Sequence, residues 1–244
     1  MLLSSLLLLL SAYQYGGTFI GAVICSDGIV VASDSRTTFM DGQGKAFAYL
    51  DGTPKIYADR GAAVAFSGMI SLDGELLSSF VARNPYLLEP PVNDILFGFL
   101  LHMPFANTNG VSMISAGFLD GSPMICVKSP IDPQTCSRSG FIANKPSPLL
   151  RDTLARLGGS PTVAEARTAL KAAIEESSKT DSTVGGPISI LTLTHDGPPQ
   201  WSGANPSDGG LSQICDLVHR RRSDIVPLGS QHDLDLHLSA ACPK

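Results

Sequence analysis

The stretch YGGTFIGAVICSDGIVVASDSR, residues 15–36, decides the fold. Two apolar, β-branched runs, 17–25 and 28–35, flank Ser26-Asp27-Gly28, and such a turn between such runs predicts a β-hairpin. Two registers are open. A loop of Asp27-Gly28 sets Thr18 opposite Thr37, whereas a loop of Ser26-Asp27 sets it opposite Ser35. In both, the Asp34-Ser35-Arg36 end folds back beside Thr18.

What precedes the hairpin is unlike it. Residues 1–12, MLLSSLLLLLSA, form the one strongly hydrophobic run, too short to span a bilayer. The run is similar to the apolar part of a secretory signal, without the positively charged n-region. Residues 1–17 are therefore set apart as a leader or propeptide, and export is one reading of the chain's destination.

Downstream, residues 45–50, 54–59 and 62–68 read as short strands joined by Gly/Asp turns. Helical spacing follows at 71–84 and 91–103, with prolines between. A second strand set covers 111–119, 123–129 and 134–143. Residues 147–159 predict a helix, and 160–180 a longer one with Ser160 as N-cap and Pro161 in its first turn. One more strand is expected at 185–197. Strands, helices, strands, helices and a strand suit an α+β domain, a four-layer αββα sandwich of two antiparallel sheets flanked by helices, better than an alternating parallel sheet. The domain is placed at 18–200. Residues 201–244 are expected to be a C-terminal extension, a helix within 210–222 and then a loose tail from about 229.

Composition narrows the function classes. The 244-residue chain is 43% hydrophobic, enough for one sizeable core. Its net charge of −5 and the lack of long Lys/Arg runs exclude the clustered cations that nucleic-acid phosphates need. His219-Arg220-Arg221-Arg222 reads as a solvated helix end. The five cysteines, Cys25, Cys126, Cys136, Cys215 and Cys242, have no C-x-x-C spacing and read as buried thiols. The five histidines show no zinc spacing, and His232 and His237 are expected at the surface. No metal and no organic cofactor are called for.

Thr18 is an ordinary alcohol while its amide is intact. Cleavage of Gly17–Thr18 would free an α-amine whose reference pKa of about 7.7–8.0 suits an intramolecular base, so one residue would supply nucleophile and base together. Gly16 and Gly17 allow the tight turn in which Thr18 attacks its own preceding carbonyl. Such a nucleophile also needs a cation beside it, a carboxylate to hold the cation, and N–H donors for the oxyanion. Asp34, Lys55 and Ser67-Gly68 are candidates for these parts, Gly68 with a helix N-terminus expected to follow it.

With those residues in place, the chain resembles the proteasome β subunits, threonine peptidases among the N-terminal nucleophile (Ntn) hydrolases. Gly17-Thr18 resembles their maturation site, and GIVVASDSR their second strand ending in Asp-Ser-Arg. PKIYADRGAAVAFSG is similar to their Lys-bearing strand running to a glycine, and DSTVGGPISILTLTHDG to their Asp-x-x-Ser-Gly-Gly segment. The resemblance covers most of residues 17–197. It implies the Ntn-hydrolase fold, Thr18 as nucleophile, Asp34 and Lys55 as its charged pair, Gly68 as oxyanion donor, and Ser137 and Asp181 as supports near the threonine amine. It also implies peptide or protein substrates, a homo-oligomeric ring, with any ATPase regulator unspecified, and a cytoplasmic location.

Departures accompany the matches. Val184 stands where the segment has serine, and CSRSG leaves Ser137 and Ser139 competing for one role. The interval from Arg36 to Lys55 is several residues longer than usual, which makes Lys45 a rival of Lys55. Phe19 and Ile20 replace the threonine run that often follows the nucleophile. Two alternatives to a threonine peptidase are a non-catalytic structural or assembly subunit and an amidohydrolase acting on a non-peptide amide.

Overall fold

The computed structural model describes residues 15–16, 18–41, 43–68, 71–72, 74–89, 91–102, 111–129, 132–204 and 210–242. The chain is a mixed α+β protein with antiparallel sheets. Its first strands are β1 (Tyr15–Gly16), β2 (Ile20–Cys25), β3 (Gly28–Ser33), β4 (Thr37–Met40), β5 (Ala46–Leu50), β6 (Ile56–Asp59) and β7 (Ala62–Ser67). The short pair β8 (Ser71–Leu72) and β9 (Glu75–Leu76) leads into helices α1 (Leu77–Arg83) and α2 (Val92–His102). Strands β10 (Ser112–Leu119), β11 (Ser122–Lys128), β12 (Thr135–Ser137) and β13 (Phe141–Ala143) follow, then helices α3 (Pro148–Arg156) and α4 (Val163–Thr180). The chain ends with β14 (Ser189–Leu193), β15 (Gln200–Gly203), α5 (Ile214–Arg220), β16 (Val226–Pro227) and α6 (Gln231–Ala241).

Two five-stranded sheets have the orders β12-β11-β10-β7-β6 and β13-β2-β3-β14-β15. Ile20, Ala22, Ile24, Ile29, Val31 and Leu191 of the second pack with Ile56, Ala65, Ile114 and Ile125 of the first. The opposite side of β2 and β3 presents Phe19, Val23, Val30 and Ala32 to Leu150 and Leu154 of α3 and Leu170 and Ile174 of α4. Burial of both faces explains why these strands read as unbroken apolar runs rather than as an alternation. The first sheet's other face sets Val64, Phe66 and Met113 against Leu77, Ile95 and Phe99 of α1 and α2.

Cys25 pairs with Gly28, so the hairpin loop is Ser26-Asp27, and Ile20 faces Ser33. Continued by two residues, this register sets Thr18 opposite Ser35. Several elements depart from expectation. Residues 134–143 are not one strand: β12 pairs with β11, whereas β13 pairs with β2 in the other sheet. The crossover runs through Arg138–Gly140, where Gly140 takes φ +78° and Ser139 N–H donates to Ser137 Oγ at 3.3 Å. The long helix is capped by Thr162 rather than Ser160, because only Thr162 has a glutamate three residues on, Glu165, to close a capping box. Ser71–Leu72 and Glu75–Leu76 form the β8–β9 pair, so among the described residues the first helix after Gly68 is α1, which begins at Leu77 rather than at the glycine.

The C-terminal stretch is no loose tail. Leu234 and Leu238, one turn apart on α6, bury against Phe39, Ala48 and Leu217. His237 stacks on Phe47 with ring centroids 4.5 Å apart. Arg221, expected in solvent, donates to the carbonyls of Asp51 at 2.8 Å and Gly52 at 3.4 Å. Nor are four of the cysteines thiols: Cys126–Cys136 and Cys215–Cys242 are disulfides, and only Cys25 is free. Cys126 and Cys136 are register partners on β11 and β12, which brings their side chains together. Burial, with Asp27 nearby, pushes the Cys25 thiol up to about 12 and leaves it unreactive.

Candidate active site

Thr18 precedes β2 and is 4% exposed. Its hydroxyl Oγ1 accepts a hydrogen bond from Lys55 Nζ at 2.6 Å. Lys55 stands just before β6, its carbonyl taking the Phe66 N–H at 2.9 Å. The Lys55 ammonium has three protons, and it donates to Thr18 Oγ1, to Asp34 Oδ1 at 3.3 Å and to the Arg36 carbonyl. Burial pushes the Lys55 pKa down, and the attraction of Asp34 offsets part of that fall. A compact cation touching the hydroxyl favours the alkoxide character a nucleophile needs.

Asp34 is fully buried at the end of β3. Its Oδ1 accepts from Phe19 N–H at 2.9 Å, and its Oδ2 from Arg36 N–H at 3.1 Å and Gly185 N–H at 3.0 Å. With Lys55 it therefore has four donors, which makes a buried charge tolerable. Arg36 forms a two-point pair with Asp51, through Nε at 2.8 Å and Nη2 at 3.0 Å, and lies over the Tyr49 ring. A Cβ at residue 185 would come within 2.6 Å of the Arg36 guanidinium carbon, so only glycine lets the two approach.

Thr18, Asp34 and Lys55 are thus one hydrogen-bonded group, and the remaining sequence candidates lie around or away from it. Gly68 ends the strand beside Ser67, at φ +90°, a conformation suited to glycine. Asp181 caps the C-terminal end of α4 and accepts from Lys145 Nζ and from Thr183, through its N–H at 2.9 Å and its hydroxyl. Burial raises its pKa, but Lys145 and Thr183 outweigh this, and the net shift is downward. The hydroxyl of Ser137 donates to the Ser139 carbonyl at 2.6 Å, within its own crossover. Lys45 is exposed in the β4–β5 turn, where its N–H donates to Asp41. Val184 packs into the core beside α4. Gly17 lies outside the described residues.

Asn144 was not legible as part of the site, and Ser67, expected as a neighbour of the oxyanion donor, contributes through its hydroxyl. Asn144, just after β13, donates through Nδ2 to the Thr18 carbonyl at 2.8 Å and to Ser67 Oγ at 2.9 Å. The Ser67 hydroxyl also donates to that carbonyl, at 3.2 Å. Both act on a backbone group, and no sequence motif marks such a contact.

The strand β1 pairs antiparallel with β4, Tyr15 opposite Phe39 and Gly16 opposite Thr38. Tyr15 and Gly16, the latter two residues before Thr18 in the chain, thus lie along the β4 edge.

No family model matches the chain, and neither does any curated protein. Solved structures do match. A Gly-1 mutant of Anbu from Hyphomicrobium sp. strain MC1 aligns with TM-score 0.57 and 14% identity, over 85% of this chain and 95% of that one. Its fold is similar to that of Anbu. Another Anbu structure from the same strain aligns with TM-score 0.50 and 13% identity, over 76% and 86% of the two chains. At this identity Anbu, an Ntn-hydrolase-like protein, speaks for fold alone. The assignment to the proteasome β subunits is corrected accordingly: both structures aligned above are Anbu. Gly-Thr, Asp-Ser-Arg and a following lysine describe how a hairpin assembles a site, and they do not single out that group.

Proposed function

We propose that the chain is a threonine-type amide hydrolase of the Ntn kind, in which cleavage of Gly17–Thr18 exposes the nucleophile. The observation that carries this reading is the buried contact of Lys55 Nζ with Thr18 Oγ1 at 2.6 Å, backed by Asp34. In this reading the stacking of helices, two sheets and helices is the four-layer αββα sandwich.

Thr18 Oγ1 attacks the substrate carbonyl carbon while the Thr18 α-amine takes the hydroxyl proton. Lys55 stabilises the charge that develops on Oγ1, and the Gly68 N–H donates to the oxyanion. The proton passes from the amine to the leaving nitrogen as the C–N bond breaks, leaving an ester on Thr18. Water, deprotonated by the same amine, then hydrolyses the ester and restores the hydroxyl. Asp34 holds Lys55 protonated against burial, and Asp181 acts at one remove by anchoring Lys145 and the turn that delivers Gly185. Ser137 belongs with this supporting set.

An extended peptide is the substrate favoured here. The pairing of Tyr15–Gly16 with β4 supports this, because an edge that takes the leader as a strand offers the same backbone donors and acceptors to another extended chain. The signal-like leader and the two disulfides favour an exported, oxidising location over the cytoplasm. Among the described residues no helix is long and apolar enough to cross a membrane. Assembly into a homo-oligomeric ring goes with this reading.

Intact mass of the purified protein is the direct test. A native chain that begins at Thr18, a Thr18→Ala chain that keeps Gly17 and the residues just before it whether or not the signal-like run is removed, and stoichiometric labelling of the native chain by a threonine-directed electrophile are expected. A native chain that keeps its leader and takes up no electrophile would sink the reading in favour of a non-catalytic assembly role. Labelling without cleavage of any peptide would move the substrate to a non-peptide amide.

A further inference from the structure

We infer that Asn144 is a positioning residue for Thr18, holding the nucleophile's peptide plane against Lys55; the inference rests on Thr18 being the nucleophile. The Thr18–Phe19 peptide unit is gripped on both edges by side chains. Its carbonyl accepts from Asn144 Nδ2 at 2.8 Å and Ser67 Oγ at 3.2 Å, while its N–H donates to Asp34 Oδ1 at 2.9 Å. A peptide unit is planar and includes the Thr18 Cα, so holding its two ends fixes that Cα and the direction of the Thr18 Cα–C bond. Thr18 Oγ1 is then confined to an arc from which Lys55 reaches it.

The orientation of the Asn144 amide follows from its partners. Its Oδ1 accepts the Ile20 N–H at 2.8 Å, and that N–H is an obligate donor. Nδ2 must therefore face the other way, and its two protons meet the Thr18 carbonyl and Ser67 Oγ, at 2.8 and 2.9 Å. Three of the amide's four hydrogen-bonding positions, both N–H groups among them, have protein partners, so a flipped amide would set donor against donor at Ile20 and acceptor against acceptor at Thr18. The backbone reinforces the hold, since Asn144 N–H donates to the Ile20 carbonyl at 3.1 Å. A residue 126 positions away thereby keeps the first residues of β2 in line.

Asparagine is the side chain this geometry asks for. Aspartate of the same shape keeps an acceptor for Ile20 but turns an acceptor on the Thr18 carbonyl; leucine and alanine offer neither group. Displacement of a nucleophile by about 1 Å costs on the order of 100-fold in rate.

The test follows the rate and the extent of Thr18 labelling separately, in the native chain, Asn144→Asp and Asn144→Ala, with Thr18→Ala as blank. The expected result is a labelling rate constant at least about 10-fold lower in both Asn144 variants, with full final extent and an unchanged half-saturating electrophile concentration. A merely structural role would lower the extent, by removing folded molecules, and leave the rate of the remainder alone. Rates within about twofold of native, or a loss confined to extent, would overturn the proposal. If the native chain takes up no electrophile, the catalytic reading falls by itself. The hold is then judged by the carbonyl ¹³C resonance of Thr18. An upfield move in Asn144→Asp, reporting a lost donor, upholds it, and an unmoved resonance refutes it.

Discussion

Replacing Asp34 by asparagine removes one oxygen and one charge from a site where both are fully used. The carboxylate receives Phe19 N–H and Lys55 Nζ on Oδ1, and Arg36 N–H and Gly185 N–H on Oδ2. An asparagine amide satisfies one side or the other, so either orientation turns an NH₂ group on two donors. Each orphaned buried donor costs about 1–3 kcal/mol. The side chains of Lys55 and Asp34 are 2% and 0% exposed, and breaking a buried pair of this kind costs about 3–5 kcal/mol. The terms overlap because they share one carboxylate, so about 3–5 kcal/mol is expected in total. At about 2–4 °C per kcal/mol for a chain of this length, the melting midpoint should fall by about 6–20 °C. Burial already holds the Lys55 pKa below its ordinary 10.5. An unfolded chain then binds more protons than the folded one between the two values, so stability rises with pH across that window. Loss of Asp34 drives the folded value lower still, so the deficit of the variant should be largest below it and narrow as pH climbs towards 10.5. Thermal melts of both proteins from pH 6 upward would show this. A midpoint within about 2 °C of native at neutral pH would refute the four-donor account.

Two further substitutions probe the frame around the site. Cys215→Ser with Cys242→Ser opens a crosslink of 27 residues' separation, for which the chain-entropy relation gives about 3.5 kcal/mol; urea titration should find most of that loss, while Thr18 labelling keeps its rate. Val184→Ser is expected to cost about 2–3 kcal/mol without quickening labelling, since the side chain is 1% exposed in an apolar cluster with Leu170 and Ile174. A faster rate in that variant would show that position 184 faces the threonine amine after all.

The parts of the site legible in the sequence are those a hairpin register decides. A Ser-Asp-Gly turn between two apolar runs brings Asp34 back to Thr18 whichever two residues form the loop, and Ala62–Ser67 carries Lys55 as its strand neighbour. Asn144 was hidden because its contact with Thr18 depends on a change of sheet at Arg138–Gly140, between two segments that read as one strand. The disulfides were hidden for a similar reason: the spacing of Cys126 and Cys136 means nothing until β11 and β12 are paired. In α6 only Leu234 and Leu238 are buried, too thin an apolar stripe to stand out from its acidic neighbours.

The long interval between Arg36 and Lys55 has a structural answer that also bears on the sheet edge beside Thr18. The interval is filled by a hairpin, β4 with β5, pinned at its neck: the Ser35 carbonyl accepts from the Thr53 N–H at 3.0 Å and from the Thr53 hydroxyl at 2.8 Å, and the Thr37 and Thr53 hydroxyls meet at 2.6 Å. Asp51, leaving β5, returns to Arg36. Because the neck is closed, Lys55 arrives at Thr18 whatever the hairpin's length, and spacing along the chain is a poor measure of whether the pair can form. The hairpin sits in the sheet β1-β4-β5-β16, whose two outer places are held very differently. On the β5 side, β16 belongs to a C-terminal segment locked by the Cys215–Cys242 disulfide and by Arg221 on the Asp51 and Gly52 carbonyls. On the β4 side, among the described residues, lie only Tyr15 and Gly16. In the proposed reading, cleavage before Thr18 would open one edge of this sheet, the one beside that residue, and leave the other covered. Two uncovered edges would invite strand-to-strand association between copies; with the β5 side covered, the backbone that such a cleavage would expose is confined to the side beside Thr18.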